Sequence, residues 1–188
     1  MNTGSFTTNF GALVNTANGN GLTGPGNALE QQHVANGDGF WSAVLSDGAT
    51  SADVNLDFDF GSSVFLDTLA LWNYNFFDTA ATDRGIKNFQ LIFSDNSDFS
   101  SPVYTSDTLT LPEGTATPIS ATKFSFPVIK ARYARIDVAS NWYSDPTVPL
   151  IGLSEVRFAQ QVPEPSSGLG LLALGLLGAG AALKRHWN

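Results

Sequence analysis

From Ser51 to Phe60 apolar and polar side chains alternate without interruption. Ala52, Val54, Leu56, Phe58 and Phe60 fall on one face, and Asp53, Asn55, Asp57 and Asp59 on the other. Only an extended chain with one buried face sorts residues this way, because successive strand side chains point to opposite sides. Short runs of strand-forming residues recur after it, and they predict strands at Trp41 to Leu45, Val64 to Leu66, Thr68 to Asn75, Ile86 to Ser94, Val103 to Tyr104, Thr108 to Leu111, Lys123 to Phe126, Ala131 to Val138 and Gly152 to Phe158. Turn formers separate them: Gly61-Ser62-Ser63 breaks the first strand from the next, and Asp95 to Asp98 reads as a turn. Asn15 to Asn27 is so dense in Gly and Asn that no regular element is expected there. No segment before Val162 has a helical period. Many short strands at close spacing predict an all-β fold, an antiparallel β-sandwich or jelly roll.

About 160 of the 188 residues precede a compositionally distinct tail, enough for one domain with a substantial core. The expected division is a lead-in over 1–14 (an N-terminal strand or a truncated segment), a body over 15–161 and a tail over 162–188. The chain carries −8, and without Lys184, Arg185 and Glu164 of the tail seven basic residues face sixteen acidic ones, or −9. No Lys or Arg occurs before Arg84. Nucleic acid is excluded as the expected partner, since binding it rests on clustered cations that neutralise phosphates. With no Cys, neither disulfides nor thiolate metal sites are available.

The tail reads Val162-Pro163-Glu164-Pro165-Ser166-Ser167, then only Gly, Leu and Ala from Gly168 to Leu183, then Lys184-Arg185-His186-Trp187-Asn188. An apolar helix over 168–183 sits at the lower edge of the roughly 17 to 25 residues that span a membrane. Lys184 and Arg185 would stay on the cytoplasmic side, which puts the body on the other. The order of parts resembles the PEP-CTERM sorting tail of bacterial exported proteins. That resemblance implies recognition by an exosortase, transient anchoring in the membrane through the C-terminal helix, cleavage near Pro163-Glu164-Pro165, and release to the cell surface or exopolysaccharide matrix. A plain C-terminal anchor is the alternative, and it too exports the body. Export calls for a basic and then apolar leader. Met1 to Phe10 has neither, so a start further upstream is expected.

Within the body, Leu56-Asp57-Phe58-Asp59-Phe60-Gly61, Leu69-Ala70-Leu71-Trp72-Asn73-Tyr74-Asn75, Arg84-Gly85-Ile86-Lys87-Asn88-Phe89, Ala131-Arg132-Tyr133-Ala134-Arg135-Ile136-Asp137-Val138 and Gly152-Leu153-Ser154-Glu155-Val156-Arg157-Phe158 follow one another in an order that resembles the discoidin domain, the coagulation-factor type C family. The resemblance runs from about Asn15 to Phe158 and implies a galactose-binding-like jelly roll whose loops at one end meet a glycan. It also implies a structural calcium where the first loop joins the last strand. Calcium takes oxygen ligands, so the candidates are Asn18, Asn20, Thr23 and Glu155. The other reading of Glu155 is a solvent-facing carboxylate paired with an Arg.

Sugar recognition needs an aromatic platform and fixed polar groups. Three loops carry them: one with His33, Asp38 and Trp41, one with Asn75, Phe76, Phe77, Asp83 and Arg84, and one with Asn141, Trp142, Tyr143 and Asp145. The ligand-binding candidates are Trp41, Asn75, Phe76, Arg84, Trp142 and Tyr143, with Trp41 and Trp72 also suited to the core. Arg84 would either clamp a ligand hydroxyl or carboxylate, or hold its loop to Asp83 or Asp78. Catalysis has no comparable support. There is no Gly-x-Ser-x-Gly elbow, the body has one His, and nothing selects a carboxylate pair. The expectation is therefore an exported, non-catalytic carbohydrate-binding or adhesion module whose partner is exopolysaccharide or surface glycan, against a structural matrix spacer that binds protein.

Overall fold

A computed structural model describes residues 6–10, 13–35, 39–46, 48–145 and 148–161. The strands are β1 (Phe6–Phe10), β2 (Leu22–Thr23), β3 (Gln32–His33), β4 (Trp41–Leu45), β5 (Asn55–Asn73), β6 (Ile86–Ser94), β7 (Pro102–Thr105), β8 (Leu109–Thr110), β9 (Ile119–Ser120), β10 (Thr122–Asn141) and β11 (Leu150–Gln160). Among the described residues the only helical pieces are short 3-10 turns at Leu13–Ala17, Ser51–Asp53 and Thr79–Arg84. β4 and β6 have the bounds that the sequence predicts.

All named pairings are antiparallel; the main sheet runs β1-β4-β11-β5-β10-β6-β7, with β8 on β6, and β2-β3-β9 form a separate small sheet. The path becomes a sandwich because β5 and β10 each serve both layers. The second half of β5 pairs Val64 to Leu71 with β10 residues Ala131 to Thr122, whereas its first half pairs Asn55 to Asp59 with Asp137 to Tyr133. One layer thus contains β1, β4, β11, the second half of β5 and the first half of β10. The other contains the remaining halves with β6, β7 and β8.

The corner lies at Gly61-Ser62-Ser63. Opposite it the register jumps between Ala131 and Tyr133, and Gly61 adopts φ +79°, a left-handed conformation that costs glycine little. The expected break there is instead a bulge inside one strand. The expected gap between Phe126 and Ala131 is likewise bridged, the register slipping between Ser125 and Ile129. Asn15 to Asn27 is less irregular than expected, since it contains β2 and most of the first 3-10 turn.

The alternation predicted from Ser51 holds from Val54 onward. Val54, Leu56 and Phe58 are buried, while Ala52 is exposed on the 3-10 turn. The two layers meet through aromatic rings: Phe158 of β11 lies 5.3 Å from Phe58 of β5 and 6.2 Å from Phe93 of β6, centroid to centroid. Phe89 and Phe124 meet edge to face at 5.3 Å. Such pairs add about 0.5–1.5 kcal/mol each beyond the area they bury.

On the outer face of the second layer, Asp57 and Asp59 are each held bidentately, by Arg135 (2.6 and 2.8 Å) and Arg132 (2.9 and 3.0 Å). Arg132 and the Gly61 amide hold the Asp59 carboxyl down to about 2. These polar partners explain why the alternation that opens the fold is so regular.

Candidate functional site

At one end of the sandwich the chain leaves β5 at Asn73, re-enters at Ile86, crosses between β8 and β10 over 111–121, and joins β10 to β11 over 142–149. Tyr74 organises this end. Its ring is buried, stacks 6.3 Å from Phe76, meets Phe40 edge to face at 4.8 Å, and lies 5.9 Å from the Arg84 guanidinium. Phe76 is partly buried against that cluster, and Phe77, 4.0 Å away, is 64% exposed.

Arg84 ends the turn that Asp78 caps through the Ala80 amide. Its side chain hydrogen-bonds Tyr143, whose hydroxyl also bonds the Asp83 carboxylate. Burial pushes both Tyr143 and Asp83 up, and their mutual hydrogen bond opposes the shift at Asp83. Phe76, Phe77, Asp83, Arg84 and Tyr143 therefore belong to one rim, with an aromatic pair on Tyr74 and a hydrogen-bonded Arg–Tyr–Asp triplet beside it. This pairing of apolar ring with vicinal donor and acceptor is suited to a pyranose, which presents C–H groups on one face and adjacent hydroxyls at its edge.

Other candidates lie beneath the surface. Trp41 opens β4, is fully buried, and packs in the main core. Asn75 is also fully buried: its Nδ2 donates to the Thr117 carbonyl at 2.7 Å, and its Oδ1 accepts from the Thr115 and Ala116 amides at 3.2 and 3.0 Å. Both expectations of ligand contact are corrected. Trp41 fills the core, and Asn75 staples the 111–121 crossing to the rim. Trp72 is core as well, donating from Nε1 to the Gln31 carbonyl. Trp142 lies between these extremes. It is half-buried, its Nε1 donates to the Leu111 carbonyl at 3.0 Å, and the Lys87 ammonium sits 4.7 Å from its ring. Those contacts make it a lock between loops more than a platform.

His33, a loop candidate, is fully buried, with ring nitrogens facing the carbonyls of Val34, Gly39 and Asn20; burial pushes its pKa down. Asp38 lies outside the described residues.

Sequence reasoning missed Phe40 and Tyr74 as the base of the rim and overlooked the 111–121 crossing. The signal for the latter is Gly114, where a Cβ would come within 2.2 Å of the Tyr74 carbonyl oxygen. The crossing can pass that close only without a side chain.

Glu155 of β11 is fully buried, and its carboxyl is pushed up to about 7 by desolvation, opposed by Arg157 and the Gly19 amide. Oε2 accepts from Gly19 N–H at 3.2 Å, and Oε1 contacts Arg157 Nη2 at 2.7 Å without a well-directed hydrogen bond. The carboxylate thus meets the first loop through Oε2, and its Oε1 is occupied by the Arg157 guanidinium. Asn18 and Asn20 belong to the same loop, where Asn18 Oδ1 accepts from the Asn20 amide. Thr23 turns its hydroxyl to the Gln32 carbonyl at 3.5 Å. Glu155 is paired with Arg157, Asn18 and Asn20 stand in the loop it meets, Thr23 turns to Gln32, and among the described residues no group of three or more acidic or His side chains gathers as a metal site.

A family model described as the PEP-CTERM protein-sorting motif matches residues 161–185. The tail is a PEP-CTERM sorting motif. It implies export and sorting to the cell surface. Val162, Pro163, Glu164, Pro165, Lys184, Arg185 and the helix expected over 168–183 all lie outside the described residues.

No curated protein sequence matches the chain. Among solved structures, the body is similar to a histidine mutant of the lectin-binding domain of lectinolysin complexed with Lewis b, at 12% identity over 85% of this chain and 92% of that one, TM-score 0.51. It is also similar to a fragment, 298–461, of a Bacteroides thetaiotaomicron protein, at 15% identity over 87% and 90%, TM-score 0.51. A third similar structure is CBM32-2 of GH31 bound to GalNAc, at 10% identity over 86% and 100%, TM-score 0.49. Likeness at these identities is one of fold: a galactose-binding-like antiparallel β-sandwich.

Proposed function

We propose that this protein is an exported, non-catalytic module that attaches to exopolysaccharide or surface glycan, with its body over 15–161 and β1, and its tail over 162–188 serving delivery. The observation that carries this reading is the convergence of Phe76 and Phe77 with Asp83, Arg84 and Tyr143 at one end of the sandwich. The Lewis b complex named for the similar lectinolysin domain agrees with a saccharide partner. An exosortase would process the tail after transient anchoring through its apolar helix. A calcium, where bound, would be held by Glu155 with oxygens of the Asn18–Asn20 loop. It would fix that loop to β11 and take no part in any reaction.

A glycan array followed by calorimetry on hits tests the reading. Arg84→Ala removes a charge-assisted donor, worth about 1.5–3 kcal/mol, and is expected to weaken binding roughly 10- to 100-fold. Phe77→Ala is the cleaner probe because the side chain is mostly exposed. Stability should move by no more than about 0.5 kcal/mol, while affinity falls about tenfold. Absence of any saccharide binding, with assembly of the chain on protein partners intact, would establish the matrix-spacer role in its place.

A further inference from the structure

The flank of the sandwich carries a second place where aromatic and polar groups meet. There the first half of β5 pairs only with β10, and β11 beyond Leu153 pairs only with β5, because β4 ends its register at that residue. Between these half-paired strands lies a cleft of about 450 Å³, within the range of small-ligand sites. Phe58, Phe60, Val156 and Phe158 wall it, and Ala17, Asp59 and Arg157 complete the lining.

Edge-to-face contacts of 5.3 and 5.1 Å to Phe158 fix Phe58 and Phe60 in place without stacking their faces on its face. Phe60 and Phe158 are both only partly buried. The polar groups are equally fixed. Asp59 is held by Arg132 and by the Gly61 amide at 2.8 Å, and Arg157 by the buried Glu155 at 2.7 Å. Each charge is therefore balanced from behind, yet a carboxylate oxygen still has acceptor capacity, and Arg157, although its Nε is buried, leaves its side chain 31% exposed with guanidinium donors to spare.

We propose that this cleft is a second saccharide site, taking one or two neutral pyranose residues against Phe60 and Phe158 with their hydroxyls between Asp59 and Arg157. The choice of a neutral sugar follows from the two balanced charges, which leave no net field for an ionic ligand. The proposal rests on the reading that the domain binds glycan, but on different residues, since the rim lies at the end of β5 near Asn73 and the cleft near Asp59 and Phe158. A module with two such sites would bridge polysaccharide chains, gaining avidity from the second contact without any increase in the strength of the first.

The test is calorimetry on the full chain in a zwitterionic detergent, so that no glycosidic detergent competes, with lactose, cellotetraose, mannotetraose and N-acetylchitotetraose as probes. Two sites per chain are expected, with Phe60→Ala losing one and Arg84→Ala losing the other. Phe60→Leu, which keeps apolar volume but not the ring, should lose the same site as Phe60→Ala and guards against a folding defect. A single site that Arg84→Ala removes and both Phe60 variants spare overturns the cleft alone. A single site that the Phe60 variants remove and Arg84→Ala spares upholds the cleft and overturns the rim. Binding of no probe overturns both.

Discussion

Asn75→Ala is expected to lower the stability of the body by about 3 kcal/mol, which for a domain of this size is a fall of roughly 6–12 °C in the unfolding midpoint. The Asn75 side chain is wholly buried and makes three backbone hydrogen bonds of 3.2 Å or less, to Thr115, Ala116 and Thr117. Removing it leaves two amides and a carbonyl to find other partners, each at a cost of about 1–3 kcal/mol if it finds none. Water admitted to the space will recover part of that, which keeps the expected total near the lower end of the sum. Asn75→Asp should be worse. It retains acceptors for the two amides, but loses the donor to Thr117 and buries a charge. Chemical denaturation checks the first effect. Because the crossing over 111–121 buttresses Tyr74, sugar affinity should fall in both variants despite no direct contact. Unchanged stability in Asn75→Ala would show that the crossing is held by other means.

The second large effect concerns pH. With divalent ions chelated, stability should decline as pH rises from about 4.5 to about 7 and level off above. Glu155 has its folded value raised to about 7 from an ordinary 4.5. Its protonated form therefore favours the folded state, a contribution fully present below 4.5 and lost as the carboxyl ionises through 7. The span corresponds to about 3 kcal/mol. Glu155→Gln should abolish the slope and be more stable than the parent above pH 7. Millimolar calcium should reverse the trend in the parent protein by favouring the carboxylate, raising the midpoint at pH 7.5 and not at pH 5. A parent insensitive to calcium at both pH values would leave Arg157 as the only cation that Glu155 needs.

How far the sequence reaches is clearest at particular residues. Period-2 alternation locates Val54 to Phe58 because a buried face leaves its mark on every second residue. It cannot report that a strand continues through a corner, so Gly61 reads as a stop although only a bulge was needed, and Pro127 reads as a gap inside β10. Composition marks Phe76, Arg84 and Tyr143 as loop residues with the right chemistry. It cannot measure depth, which is why Trp41 and Asn75, next to strand ends, look available when tertiary packing has drawn both inside. Contacts made by the 111–121 crossing have no periodicity at all. They depend on residues some forty positions apart in sequence, such as Asn75 and Thr115.

β11 begins at Leu150, close to the rim, and delivers the chain at Gln160 beside Leu66, toward the opposite end of the sandwich. A ligand held at the rim and a tether beyond Gln161 would thus pull on the domain from its two ends. The pull would act along β11, whose first residues are bonded to β4 and whose remainder, from Leu153 on, is bonded to β5. In that direction neighbouring hydrogen bonds must give way together in shear instead of peeling open one at a time. If the domain binds glycan at the rim as proposed, this topology would make it a mechanical coupling, strongest along the line between the tether and the polymer.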